Sequence, residues 1–433
     1  MKKFFVKIFV LFFICTIFLT NNRTVHASDF PYLEAQGVVL MDGITGEILY
    51  SNNSNVQFEP ASTTKVMTAL VVLNNSNLND KVTIGLNPTL VDGSAIGIRE
   101  GEVYTVKELL LGLLLESGND CAEALAEYIS GSNAEFGKLM TEEARRLGAM
   151  NTTFKNPSGL SEEGHLTTAY DLALIMREAA NNPEFVEISR TESYYYENHP
   201  FSDGTEKWAT NRNNCYVDWS PYYYENLYCG KTGWTPEANH TYTAAAKQND
   251  QMLIASFLNA YDKAAQYTSV GQLFDWVFAN FTKKKIISEG DILDEIILDE
   301  EITLPLLATK DIYYTFNNSE YNQSLNLNKS VSFEEKDLSK TTLNRGDILF
   351  NASLLINGKS YESIELASGI DRIYKEVGPI DKTSKSFFKT IFIIILIILI
   401  LFIILIIRIR YVAKRRRFRK KRKLMRKKHF NHY

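Results

Sequence analysis

The chain has 433 residues, with 47 Lys and Arg against 51 Asp and Glu, a formal net charge of -4, and 45% hydrophobic residues. That near-balance conceals an asymmetry: both ends are basic, so the body between them is acidic, which excludes nucleic acid as its natural ligand. There are four cysteines, one of them inside the N-terminal apolar run. That is too few for a disulfide framework, so folding must rest on hydrophobic cores.

The N-terminus carries Lys2, Lys3 and Lys7 with an apolar run from about Phe4 to Leu19, and small residues follow to Val25-His26-Ala27. This layout predicts a signal peptide at residues 1–27 and an exported chain. From Gly37 to Leu49 two apolar strands flank a turn at Asp42 to Gly46, a hairpin pattern. Helical periodicity then covers Thr63 to Leu73, Val106 to Leu115, Cys121 to Ile129, Ala134 to Leu147 and Thr168 to Ala180. Strand patterns resume at Tyr228 to Thr232, Thr241 to Ala246 and Met252 to Asn259, before a helix from Tyr267 to Phe281. Strands, a helical cluster and strands again predict one α/β domain at residues 30–282, whose antiparallel sheet gathers both chain ends.

Lys283 to Lys285 read as a charged break. Beyond it, Ile302 to Leu307, Asp311 to Phe316, Ser330 to Phe333, Ile348 to Ile356 and Ser360 to Leu366 predict a small all-β domain at residues 283–376, with a hairpin turn at Asn357-Gly358. Phe387 to Ile407 is long and apolar enough for one transmembrane helix. The Arg- and Lys-rich residues 408–433 beside it predict a cytoplasmic tail and an extracellular body. An exported body of roughly 350 residues has room for two cores.

Three short motifs carry chemistry. Pro60-Ala61-Ser62-Thr63-Thr64-Lys65 opens a nearly all-apolar, hence buried, helix. Ser62 and Lys65, three apart, share a face with Cβ atoms about 5 to 6 Å apart. Burial disfavours an ammonium, so a neutral Lys65 can take the Ser62 proton, and the free first-turn amide of Ser62 can donate to an oxyanion. Alone the pattern is weak, since Ser386 and Lys389 also match it beside the span. Ser117-Gly118-Asn119 falls in a loop between helices, and Lys231-Thr232-Gly233 falls on a strand. The glycine leaves room for a substrate to lie along that strand as an added edge.

These motifs, in this chain order, are the signature of penicillin-binding proteins and class A β-lactamases. With Met41-Asp42 through Leu49-Tyr50, Leu113 through Cys121, Asn151 through Leu160 and Lys231 through Thr235, the sequence resembles the low-molecular-mass penicillin-binding proteins that act as D-alanyl-D-alanine carboxypeptidases, from about Gly37 to Leu366. The resemblance implies a penicillin-binding, β-lactamase-like transpeptidase fold and a serine hydrolase that trims the terminal D-alanine from peptidoglycan stem peptides. It implies Ser62 as nucleophile, Lys65 as base, Ser117 as proton relay and Asn119 as the residue orienting Lys65 and the substrate amide. It further implies Lys231 and Thr232 at the substrate carboxylate, Gly233 on the binding strand, and an oxyanion site at the amides of Ser62 and Trp234, typically about 3 to 4 kcal/mol per donor. β-Lactams are the implied inhibitors, and no cofactor or metal is called for. Cys121 and Asn239-His240 depart from the family pattern without touching this chemistry.

Two other readings use the same residues. A class A β-lactamase needs a carboxylate for deacylation, and Glu178 with Asn182 has the spacing, although a solvated helix face accounts for it better. A penicillin sensor or wall-binding scaffold would bind without turnover. His165, His199 and His240 are scattered, without zinc-ligand spacing, and read as loop or surface residues. The tyrosines at 194–196 and 222–224 read as packing. Cys215 and Cys229 read as unpaired small hydrophobes.

Overall fold

Strand β1 (Gly37–Asp42), Gly-Val-Val-Leu-Met-Asp, is buried at every position. Such a run suits a central strand covered on both faces, and alternation sends its side chains into two cores. The computed structural model describes residues 30–298, 302–318, 327–375 and 383–429. The expected signal peptide at 1–27 and the last residues of the expected tail, 430–433, lie outside them.

After β1 the chain turns into β2 (Ile48–Asn52), then α1 (Lys65–Asn75), α2 (Val106–Leu115), α3 (Asn119–Ser130), α4 (Asn133–Arg146), α5 (Ala169–Asn181) and α6 (Pro183–Ser189). It returns through β3 (Leu227–Thr235), β4 (Asn239–Gln248) and β5 (Gln251–Ala260) into α7 (Lys263–Asn280). The sheet has the order β2-β1-β5-β4-β3, antiparallel throughout. Val39 and Met41 meet α1 to α5 on one face, whereas Val38 and Leu40 meet α7 on the other. Each fully buried aliphatic stabilises by about 1.5–3 kcal/mol. The antiparallel sheet with its helical cluster matches the expected α/β architecture.

Local signals set the helix ends. Thr105 and Glu108 form a capping box at α2, and Gly131, at φ +78°, ends α3 in the left-handed conformation glycine adopts without strain. Residues Lys65 to Val72 of α1 are all buried.

Lys283 to Lys285 do not break the chain: they lie within strand β6 (Phe281–Ile287). After it come β7 (Ile292–Ile297), β8 (Thr303–Ala308), β9 (Ile312–Asn317), β10 (Lys329–Phe333), β11 (Ile348–Ile356) and β12 (Lys359–Ser368). β6 pairs with β9, and the other five form a sheet of order β7-β8-β12-β11-β10. The lysines tolerate the strand because their stems lie on its partner: Lys283 Nζ is 4.7 Å from the Tyr313 ring centroid and Lys285 pairs with Asp311 at 2.9 Å. By contacts, the described residues fall into one compact unit within Met1–Glu295, Pro305–Glu334 and Ile348–Ala367, and a second within Ile296–Leu304, Glu335–Asp347 and Ser368–Tyr433.

Helix α8 (Thr383–His429) contains an apolar stretch of mean hydropathy 3.9, long enough to cross a membrane. Cys121, Cys215 and Cys229 are free and buried. Cys229 lies in the helical-side core and Cys215 in the core facing α7.

Candidate active site

Pro60 leads into a 3-10 turn at Ala61–Thr64, and α1 begins at Lys65. In a 3-10 turn residues i and i+3 eclipse, which places Lys65 directly over Ser62. Lys65 Nζ lies 3.0 Å from Ser62 Oγ. The turn is held in a costly shape, with Ala61 at φ +47°. Its braces are Thr63 Oγ1 and Thr241 Oγ1, which donate to Pro60 O at 2.6 and 2.8 Å. Gly159, at φ +82°, sits so close that a Cβ there would lie 1.9 Å from Ala61 O. Only glycine fits.

Lys65 is wholly buried, and its Nζ also reaches Asn119 Oδ1 at 2.7 Å and Ser158 O at 2.6 Å. Burial, reinforced by the charge of Lys231, holds its pKa well below the ordinary lysine value. Both carbonyl oxygens can only accept. A neutral amine has two N–H groups for them and one lone pair, which is left facing the Ser62 hydroxyl. The lowered pKa favours this deprotonated form, and the two carbonyl oxygens fix the direction of the amine.

Ser117 joins α2 to α3 in the left-handed region, at φ +61°. Asn119, the first residue of α3, donates from Nδ2 to Asp92 O at 2.6 Å. Lys231, 3% exposed, donates to Ser117 Oγ at 3.1 Å and Thr232 O at 2.9 Å. Burial, helped by the charge of Arg212, pushes its pKa down to about 7. Gly233, two residues along, faces the nucleophile: a Cβ there would stand 2.7 Å from Ser62 N. β3 is an edge strand; Arg190 donates to its Leu227 and Tyr228 carbonyls, and beyond them the Lys231–Gly233 stretch is where a peptide could add as a further strand. Half-buried Thr232 interacts with the Tyr267 hydroxyl, and Trp234 is 57% exposed. Ser62, Lys65, Ser117, Asn119, Lys231 and Gly233 thus line one locus between the helical cluster and the sheet edge.

Residues 22–262 match the Peptidase_S11 family, described as D-alanyl-D-alanine carboxypeptidase. The chain belongs to that family. It is 37% identical over 256 residues to D-alanyl-D-alanine carboxypeptidase DacF of Bacillus subtilis, an overlap of 57% of this chain and 63% of DacF. It therefore spans slightly less than two thirds of that relative. With DacB2 of Mycobacterium tuberculosis it is 35% identical over 250 residues, covering 57% of this chain and 82% of the relative. Penicillin binding protein 5 from Haemophilus influenzae superposes with a TM-score of 0.64 at 26% identity, over 79% of this chain and 98% of that one. The matched family is described as D-alanyl-D-alanine carboxypeptidase, and the fold accords with penicillin-binding proteins.

Several residues at the site were not singled out from the sequence. Ser158 and Asp92 contribute only backbone carbonyls. Arg212, ion-paired with Glu116, adds positive potential beside Lys231. His165 is no surface residue: it is 1% exposed, its Nδ1 accepts from Lys155 N at 3.1 Å, and its Nε2 lies 2.9 Å from the Thr64 hydroxyl. That arrangement requires the tautomer with the proton on Nε2. Glu178 lies on an exposed helix face 3.8 Å from Arg146, and Asn182 caps α6. Neither contributes to the site.

Proposed function

We propose that the chain is a serine-type carboxypeptidase that removes the terminal D-alanine from peptidoglycan stem peptides through an acyl-enzyme on Ser62. Lys65 takes the hydroxyl proton as Ser62 attacks the penultimate D-alanyl carbonyl, and the amides of Ser62 and Trp234 receive the oxyanion. Ser117, linked to Lys231, passes a proton to the departing amine. Lys231 attracts the terminal carboxylate, with Thr232 beside it at the strand edge. Asn119 holds Lys65 and the substrate amide, and water then releases the shortened peptide. The observation that carries this reading is the buried Lys65 amine, 3.0 Å from Ser62 Oγ and held by the oxygens of Asn119 and Ser158.

In this reading residues 30–282 carry the reaction, residues 283–376 hold it off the membrane, and Phe387–Ile407 anchors the chain once, with the basic tail in the cytoplasm. The charge beyond the span supports that orientation. Exposure of purified protein to a penicillin tests the chemistry. A long-lived covalent adduct that Ser62→Ala lacks, together with D-alanine release from a D-Ala-D-Ala peptide, is the expected result. Rapid penicillin turnover points to a β-lactamase, and peptide binding without release to a scaffold or sensor.

A further inference from the structure

Asn119 can serve Lys65 only if its amide is held with oxygen, not nitrogen, toward the amine. The segment from Asp92 to Ile98 sets that orientation. Asp92 O accepts from Asn119 Nδ2 at 2.6 Å, and Ser94 O accepts from Asn119 N at 2.6 Å. Gly93, at φ +89°, brings the segment close enough that a Cβ would lie 2.7 Å from Asn119 Nδ2.

The segment is itself anchored by two buried charges outside the reaction. Asp120, 2% exposed, accepts four backbone N–H groups: Oδ1 from Ile96 at 3.3 Å and Cys121 at 2.8 Å, Oδ2 from Gly97 at 2.9 Å and Ile98 at 3.2 Å. Lys207, with no exposed surface, donates to Gly97 O at 2.8 Å and to the Tyr104 hydroxyl at 3.0 Å. Gly97 is thus gripped through its N–H by Asp120 and through its carbonyl by Lys207. Burying two charges is costly, and four of their six hydrogen bonds here go to the backbone of residues 96–98.

We propose that Asp120 and Lys207 are positioning residues for acylation: by fixing residues 92–98 they hold the Asp92 carbonyl, which fixes the Asn119 amide that faces Lys65. The inference rests on the proposed roles of Ser62, Lys65 and Asn119. Asp120→Asn is the sharpest perturbation, because it keeps the shape while turning one acceptor into an NH2 group that opposes backbone N–H donors. Lys207→Met keeps the stem and removes the donor to Gly97.

The test is a double-mutant cycle on the full chain in detergent, following acylation by a fluorescent penicillin and separating its rate constant from the drug's affinity. Asp120→Asn is expected to slow acylation about tenfold or more while affinity stays within about threefold, and Lys207→Met to slow it less. Combined with Asn119→Ala, each is expected to add almost nothing, because its effect passes through Asn119. A merely structural role multiplies the losses instead. Wild-type acylation in both single variants, or full multiplication in the double variants, overturns the proposal. If Asp120→Asn does not fold, the Lys207→Met cycle decides by the same criterion. Loss of acylation in Ser62→Ala with a wild-type rate in Asn119→Ala overturns the role of Asn119, and this inference with it, but leaves the nucleophile standing.

Discussion

Gly233→Ala is a small change with a large expected effect on acylation. The added methyl would sit 2.7 Å from Ser62 N, 3.0 Å from Thr63 N and 2.4 Å from Thr241 Oγ1. Ordinary contact begins near 3.4 Å, so strand and nucleophile turn must separate by about 0.7 Å, near the 1 Å misplacement that costs about a hundredfold. The Thr241 hydroxyl, displaced from its side, would also loosen its 2.8 Å bond to Pro60 O, which braces the turn. Losing one oxyanion donor costs about 10²–10³ in rate. The acylation rate constant for a fluorescent penicillin, measured by stopped flow, is therefore expected to fall by about 10²–10³. Gly101→Ala, at φ +81° with nothing within 4 Å of the added methyl and remote in sequence from the motifs, is the control and should acylate normally. A folded Gly233→Ala protein that acylates within about threefold of wild type would refute the proposed packing of strand against nucleophile.

Two further predictions concern protons. Lys65 must be neutral to act, so kcat/KM should fall as pH drops through its lowered pKa. Lys231 must be charged to attract a carboxylate, so kcat/KM should also fall as pH rises through about 7. A bound carboxylate raises the Lys231 pKa, which moves the alkaline limb of kcat to higher pH; coincident alkaline limbs would contradict this role. His165 is held to a pKa of about 4 by burial, with the nearby charges of Lys155 and Lys65 adding to the effect. Its folded pKa lies below the ordinary 6.5, so the unfolded chain takes the proton first. Its contribution is thus complete above pH 6.5 and is lost as pH falls toward 4, a span of about 3 kcal/mol. Thermal melts across that window should show the loss in wild type and a flatter slope in His165→Gln; equal slopes would count against it.

Much of this was legible in the sequence. Gly37 to Asp42 read as a strand because its run is continuously apolar, and α1 read as buried because nothing polar interrupts Val66 to Leu73 except Thr68. The motifs fell on the predicted elements, since Ser62 and Lys65 are linked by local spacing and Lys231 and Gly233 by strand alternation. What was not legible depends on long-range contact. Lys283 to Lys285 looked like a break because their strand is stabilised by Tyr313 and Asp311, which are remote in sequence. His165 carries no local sign of burial, for its partners are Thr64 and its packing against Phe154 is tertiary. The carbonyls of Ser158 and Asp92 are invisible to any motif, because every residue has one.

Release of D-alanine from a diacyl-Lys-D-Ala-D-Ala peptide by the purified protein tests the central claim most directly. Free D-alanine from wild type, with none above background from Ser62→Ala or Lys65→Ala, is the predicted result. Undiminished release by either variant, or an inert wild-type enzyme, would contradict it.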